Sequence, residues 1–560
     1  MSDSGSQPRP RWNEAAPGTA PGLLMLLLAL PTLLPVGAAL LTLFDPWSSH
    51  WPHLLRVVLP DVARNTLLLM VLVASLAGLI GTGLAWLMAR YAFPGSRLLH
   101  AALLLPLAMP GYVLGFVAIA GLDYAGPLQH ALRGMLDTSA PLWQVRSLTG
   151  AAVVLSLTLY PYVYLIAYNA FRSISSSTLE VAASLGQTAV FRRIALPLAL
   201  PWITGGLLLV SMEVLADFGT VALFNVNTFT TAIYKSWFGL FSLDAALQLA
   251  TILILLALAL GWAHRRMQRR GRMSQDGSQA LPTITLCGGR ACAASLGLSL
   301  FVLLVAGLPL ITLAWWSWSH VQVELDPRYG EWLGRSLLLA FGTAALLTLV
   351  ALLMGYIERR HTAAPVRALA RTATLGYALP GTVLAVGLYA PLAGLERQLA
   401  GLLTPGWATQ SLIVVLLGYW GRFLAVAHTP ITQQLARITP SLDDVSRSLG
   451  LNGLQVLNRV HRPMISGALA SAAALLIIDI IKEMPITLMT RPAGWDTLAT
   501  RVYELTAEGE YTRAALPALT IVLAGLVPVI LLLRVGRTAP SSAPAGGLLP
   551  TRHAEVTGAA

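Results

Sequence analysis

The chain has 560 residues and a net charge of +12, with 56% hydrophobic residues and only 11% charged ones, against roughly 25% charged in an ordinary soluble domain. Together with a mean hydropathy of +0.68, this excludes a soluble globular protein. The basic residues are interleaved with apolar runs and form no free-standing basic domain, which excludes nucleic acid as a partner.

In chain order, residues 1–21 are polar, carry Arg9 and Arg11, and predict a disordered tail. An apolar run over 22–44 follows; it is too long for a secretory leader and lacks a small-residue cleavage site, so it reads as a retained first span. Further runs of about twenty apolar residues, each long enough to cross a ~30 Å hydrocarbon layer, lie near 65–89, 98–122, 148–170, 201–223 and 245–263. His50 and His53 sit among tryptophans in the first loop and fit an interfacial segment better than a metal site. Residues 264–292, with Arg265, Arg266, Arg269, Arg270 and Arg272, read as a cytoplasmic linker. Cys287 and Cys292 in it have no second pair of ligands for zinc and are assigned structural roles. A second set of spans runs near 293–318, 336–357, 368–392, 410–430, 463–488 and 514–533, and 535–560 is an Ala/Pro/Gly-rich tail. The fold class is therefore an all-α polytopic membrane protein of about twelve helices.

Twelve spans put both termini on one side. With that side cytoplasmic, 24 Lys and Arg fall in inside segments and 11 in outside ones, as the positive-inside rule expects, leaving Arg422 and Lys482 deep in spans. Arg422 is expected to snorkel to the cytoplasmic surface.

A shift of 270 residues superposes Leu67, Leu68 and Leu69 on Leu337, Leu338 and Leu339, and Arg90 on Arg360. The same register places Ala108, Pro110, Gly111, Val113 and Leu114 on Ala378, Pro380, Gly381, Val383 and Leu384. The chain is thus a tandem duplication, with six-span halves at 22–263 and 293–534. An even span number gives both halves the same orientation, related by an axis along the membrane normal, and suggests a path at their interface.

After the fourth span of each half comes a polar loop with helical pattern. Glu180, Ala182 and Gly186 precede Ile194, Leu196 and Pro197; Asp444 and Gly450 precede Val460 and Pro463. An acid in the first turn complements the helix dipole and a glycine ends the helix, so each loop predicts helix, turn and helix. Both loops resemble the EAA loop of ATP-binding-cassette importer permeases, although the first has seven rather than nine residues between glycine and isoleucine. The second has Asp for Glu, Val445 and Ser446 for the two alanines, and Arg462 for Leu. The resemblance implies a type I importer permease fold in the bacterial inner membrane. It also implies that these ten residues couple to two copies of a cytoplasmic ATPase carrying ATP and Mg, and that a periplasmic binding protein delivers substrate. This chain would bind no cofactor: its two lysines, Lys235 and Lys482, follow no phosphate-binding glycine loop.

The stretches Ala216 to Thr220 and Thr228 to Tyr234, and in the second half Lys482 to Pro485 and Arg491 to Tyr503, resemble fused permeases of ferric-iron importers. Thiamine permeases share the architecture, with phosphonate and polyamine permeases behind. Glu213, Asp217, Asp479 and Glu483 lie in or at the outer end of the fifth spans. They could line a path for a hard cation that prefers oxygen donors. Equally, Lys482 could pair with Asp479 or Glu483 while Glu213 and Asp217 cap helices; no metal site is assigned. An ion-coupled secondary transporter is the alternative from another class. An integral membrane enzyme is disfavoured, because no catalytic set shares a common depth.

Overall fold

A computed structural model describes residues 19–44, 46–174, 190–270, 283–361 and 363–538. Ten of its helices are long and apolar enough to cross a membrane, and two bent helix pairs bring the number to twelve. The longest pair, Leu59–Arg90 and Pro327–Arg360, are equivalent in the two halves. One face of Leu59–Arg90 buries Val62, Thr66, Leu69, Val73 and Ala77, at helical spacing, largely against Leu148–Arg172. Leu67, Leu68, Val71 and Leu79 on the other side are exposed, as residues facing lipid rather than water should be.

Two pairs of expected spans are not straight helices. Within 98–122, a 3-10 turn at Leu105–Ala108 and an extended Met109–Pro110 step interrupt the run before helix Gly111–Leu122 begins. The second half repeats this with Leu375–Ala378, Pro380 and helix Gly381–Gln398, where the two pieces meet at 118°. Proline at the break cannot donate a backbone hydrogen bond, and the residue before it is pushed out of the helical region. Similarly, 201–223 and 463–488 stop as long helices at Ala216 and Ile481. Short helices follow: Gly219–Leu223 and Phe229–Phe238 in the first half, Pro485–Thr490 and Leu498–Ala507 in the second. A hydropathy window passes over such breaks because both sides are equally apolar.

Four π-helical turns, Leu54–Val58, Phe191–Ala195, Leu303–Gly307 and Leu457–His461, each end two residues before a proline: Pro60, Pro197, Pro309 and Pro463. The proline ring crowds the carbonyl four residues back, which is the middle residue of each turn, and a wider turn makes room for it. The outcome differs between halves. Phe191–Ala216 continues as one span, whereas Gly453–Met464 meets Ser466–Ile481 at 76°.

The two halves interlock. The first helix, Thr19–Leu41, packs on Ala364–Ala373, Gly381–Gln398 and Ile413–Arg437 of the second half. Thr32 Oγ1 donates to the Ala373 carbonyl at 3.0 Å, and Trp420 Nε1 to the Leu28 carbonyl at 3.2 Å. In return, helix Gly288–Val302 lies on the first half, where Ser295 Oγ donates to the Pro94 carbonyl at 2.8 Å and Phe301 meets Tyr160 edge-on. A two-residue parallel strand pair, Tyr91–Ala92 with Ile284–Thr285, ties the end of the linker to the end of helix Leu59–Arg90.

Candidate functional site

At one end of the bundle, the second polar loop folds as helix Pro440–Ser448, a turn, and helix Gly453–Val456. The turn is a Schellman closure. Gly450 N–H donates to the Arg447 carbonyl and Leu451 N–H to the Ser446 carbonyl, with Gly450 at φ +79°. A residue with a Cβ resists that left-handed conformation. Asn452 and Gln455 then form a reciprocal capping box for the next helix. Asp444 and Gly450 are exposed, Val460 is half-buried, and Pro463 is exposed. Leu442, Val445 and Leu449, spaced three and four apart, present an exposed apolar face, joined by Leu454 at 67% exposure. In the first loop Ile194 and Leu196 are half-buried and Pro197 is exposed. Glu180, Ala182 and Gly186 lie outside the described residues.

Deep between the halves, a cavity of about 150 Å³ is lined by all four carboxylates singled out from the sequence, together with Tyr377, Arg422 and Lys482. They occupy equivalent places: Glu213 and Asp217 are four residues apart at the end of helix Leu196–Ala216, as Asp479 and Glu483 are at the end of Ser466–Ile481. In each pair the first acid lies on the long helix and the second just past its end, and both reach the cavity. Asp217 accepts from Thr220 Oγ1 at 2.9 Å and from the Val221 N–H at 3.0 Å, so it caps the short helix beyond the break. Glu483 does the same for Pro485–Thr490 through the Ile486 N–H at 3.0 Å. Asp479 pairs with Lys482 at 2.9 Å. Glu213 accepts from Tyr377 Oη of the other half at 3.0 Å. Capping and cavity lining are therefore both served, by the same residues in the case of Asp217 and Glu483.

Arg422 departs from expectation: it does not snorkel. It lies within helix Ile413–Arg437, and its side chain, 14% exposed, turns to the central cavity and sits 3.5 Å from Glu483, which supplies the counter-charge. Among the described residues no group of three or more His, Cys, Asp or Glu side chains could hold a metal ion. On the side opposite the 440–463 loop, a 510 Å³ hollow is lined by Asp61, Asn65, Arg146, Asn225 and Asn227. Phe218, Tyr234 and Tyr503 pack between it and the central cavity, with ring centroids 5.1 and 5.6 Å apart.

Three contributors were missed from sequence. Asp443, next to the expected Asp444, makes the tertiary contacts of the loop; Arg359 is its partner; and Tyr377 holds Glu213. The exposed Leu442, Val445 and Leu449 stripe was missed as well; its signal is apolar residues three and four apart on an otherwise polar helix.

Residues 81–273 match the family described as binding-protein-dependent transport system inner membrane component. The Fe(3+)-transport system permease protein FbpB 2 of Haemophilus influenzae is 27% identical over 519 residues, covering 91% of this chain and 97% of the relative. A probable molybdenum ABC transporter permease protein of Haloferax volcanii is 31% identical over 245 residues, 42% of this chain and 87% of the relative. The sulfate transport system permease protein CysT of Salmonella typhimurium is 28% identical over 204 residues, 36% of this chain and 72% of the relative.

Proposed function

This chain belongs to the family of binding-protein-dependent transport system inner membrane components, the permeases of ATP-binding-cassette importers, and from that premise we propose that its cargo is ferric iron. The observation that carries the choice of cargo is extent. Likeness to the Fe(3+)-transport permease runs through both halves, whereas the sulfate and molybdenum permeases match over less than half of the chain. Charge supports it: the central cavity is lined by four carboxylates against two cationic side chains, Arg422 and Lys482, which opposes a divalent oxyanion and favours a hard cation.

In this reading residues 22–263 and 293–534 form the two permease halves, joined by the cytoplasmic linker 264–292, with cytoplasmic tails at 1–21 and 535–560. Each half offers one loop to one copy of an ATPase, which carries ATP and Mg; this chain binds no cofactor of its own. The exposed Leu442, Val445, Leu449 and Leu454 face is the kind of surface a docking groove covers. Glu180, Ala182, Gly186, Ile194, Leu196 and Pro197 serve the first loop, and Asp444, Gly450, Val460 and Pro463 the second. A periplasmic binding protein delivers cargo to the opposite face.

Deletion of the gene should reduce uptake of radiolabelled ferric iron presented without siderophore and leave sulfate, molybdate and thiamine uptake unchanged. Normal iron uptake with loss of one of the others reassigns the cargo. Orientation is checked by thiol labelling of intact spheroplasts in a background lacking Cys287 and Cys292. A cysteine replacing Ser139 should react with an impermeant reagent, and one replacing Ser274 should not.

A further inference from the structure

Asp443 faces inward from helix Pro440–Ser448, and both of its oxygens are occupied. Oδ2 receives Arg359 Nε at 3.0 Å and Nη2 at 2.8 Å, while Oδ1 receives His461 Nε2 at 2.6 Å. Arg359 closes the last turn of the long helix Pro327–Arg360, and two of its remaining three hydrogens go to the carbonyls of Leu435 at 2.7 Å and Ile438 at 3.0 Å. One guanidinium thus holds the end of Ile413–Arg437 and the loop helix together. His461, 1% exposed, closes the π turn that leads into Ser466–Ile481. Because the carboxylate beside Arg359 only accepts, the histidine proton sits on Nε2. A second tie, Tyr356 Oη to the Gly453 carbonyl at 2.6 Å, joins the same long helix to the second short helix of the loop.

The first half carries different residues at these positions. Ala89 occupies the place of Arg359, 270 residues earlier; Leu179 precedes Glu180 as Asp443 precedes Asp444; and Ala195 follows Ile194 as His461 follows Val460. All three members of the clamp are apolar there. The exposed face of the second loop, by contrast, carries no part of the clamp: Leu442, Val445 and Leu449 point away from it.

We propose that Asp443 is a positioning residue that binds the first short helix of the second cytoplasmic loop, through Arg359, to helix Pro327–Arg360 and, through His461, to the turn that leads into Ser466–Ile481. Movement of the docked ATPase then reaches the central cavity through the second half as a rigid link. The route is contiguous. Pro327–Arg360 packs along Ser466–Ile481, and the latter ends in Asp479, Lys482 and Glu483 on the cavity wall. The proposal rests on the docking of the ATPase at the loop and assigns the transmission step to residues that docking does not touch.

The test uses the full chain with its ATPase in proteoliposomes. A cysteine replaces Ala216 on the cavity wall in a Cys287→Ser, Cys292→Ser background, and the readout is the ATP-dependent change in its rate of labelling, which needs no assumption about cargo. Asp443→Asn and Arg359→Lys should each keep the ATPase bound and reduce the ATP-dependent change by about tenfold, within the range of ordinary coupling energies. Asp443→Glu, which keeps the charge, should restore part of it. An unchanged response in both Asp443→Asn and Arg359→Lys overturns the proposal. So does loss of ATPase association in Asp443→Asn, which would make the residue part of docking. If Asp443→Asn fails to insert, Arg359→Lys decides alone. Gly450→Glu tests the underlying reading separately: retained association and retained response there would remove the loop from coupling altogether, whatever Asp443 does.

Discussion

The two halves of this chain agree closely where the backbone must turn and disagree where charges lie. Pro110 and Pro380 break the third span at nearly the same angles, with ψ of 145° and 143°. Thr228 with Thr231, and Thr497 with Thr500, build the same reciprocal cap on the short helix that follows the fifth span. Even the anchor of that cap is repeated: the Phe229 N–H donates to Thr66 Oγ1, and the Leu498 N–H to Ser336 Oγ. Side-chain electrostatics have gone separate ways. Where the first half has Asn225, Asn227 and Lys235 beside an open hollow, the second has Arg491 bound to Asp496 and Glu504, with Arg501 on Glu504. The difference teaches that the duplicated fold rests on backbone devices, while the charged side chains have been free to differ between halves.

The sharpest way to break that comparison is at the loops. Gly450→Glu should abolish both uptake and ATPase association while membrane insertion persists. A Cβ at Gly450 meets nothing within 4 Å, so the damage would come from the left-handed backbone, about 1 kcal/mol, and from a charge on the docking surface, rather than from a clash. Gly186→Glu should do the same to the first loop. Co-purification of the ATPase with each variant is the measurement, and retention of both binding and uptake in the double variant would detach the loops from coupling.

Next comes the cavity. Glu213 has a tyrosine hydroxyl as its hydrogen-bond partner, whereas Asp217 and Glu483 also hold the starts of short helices. Glu213→Gln should therefore leave the protein folded and lower iron uptake on the order of tenfold, the equivalent of ~1.4 kcal/mol. Asp217→Asn and Glu483→Gln should lose stability as well as transport, seen as lower yields of folded protein in detergent. Equal uptake by Glu213→Gln and the parent would leave the carboxylates as helix stitching alone.

Much of this arrangement was legible in the sequence, and the reason for the remainder is physical. The 270-residue register exposed Pro110 and Gly111 on Pro380 and Gly381, because proline and glycine are punctuation whatever surrounds them. That the same pair breaks the span was not legible, since hydropathy is unchanged across it. The four carboxylates at the ends of the fifth spans were visible, as an acid stands out in an apolar run. Asp443 was passed over for Asp444 because adjacent acids on a short helix differ only in which one faces Arg359, a contact spanning 84 residues. The passage of Thr19–Leu41 onto the opposite half leaves no local trace either, since an apolar helix packs on any apolar neighbour.

The glycines after the two broken prolines separate packing from chemistry. A Cβ at Gly111 would lie 2.6 Å from Thr220 Oγ1, on a short branched side chain with no room to swing; at Gly381 it would lie 2.9 Å from Arg422 Nη1 and 3.0 Å from Glu483 Oε1. Gly111→Ala should therefore cost about 1–3 kcal/mol, read as a lower apparent Tm in detergent. Gly381→Ala should cost less in Tm and more in uptake, because the flexible end of Arg422, whose Nη1 makes no hydrogen bond, can shift, and shifting it alters the cavity. Identical Tm losses with identical transport would mean that the two breaks are interchangeable.

The smallest effect tests the part of the comparison that claims sameness. Thr228 and Thr497 cap helices of ten residues each, Phe229–Phe238 and Leu498–Ala507, and both are buried. Replacing either by alanine leaves a helix-start N–H without its acceptor, and caps of this kind are worth about 1 kcal/mol. Because the two boxes belong to different halves and share no partner in the cap, Thr228→Ala and Thr497→Ala should lower the apparent Tm by similar amounts and add in the double variant. A large loss from one and none from the other would show that the halves differ in backbone support as well as in charge. The Arg491, Asp496 and Glu504 ion pairs beside the second cap would then be the place to look for the compensation.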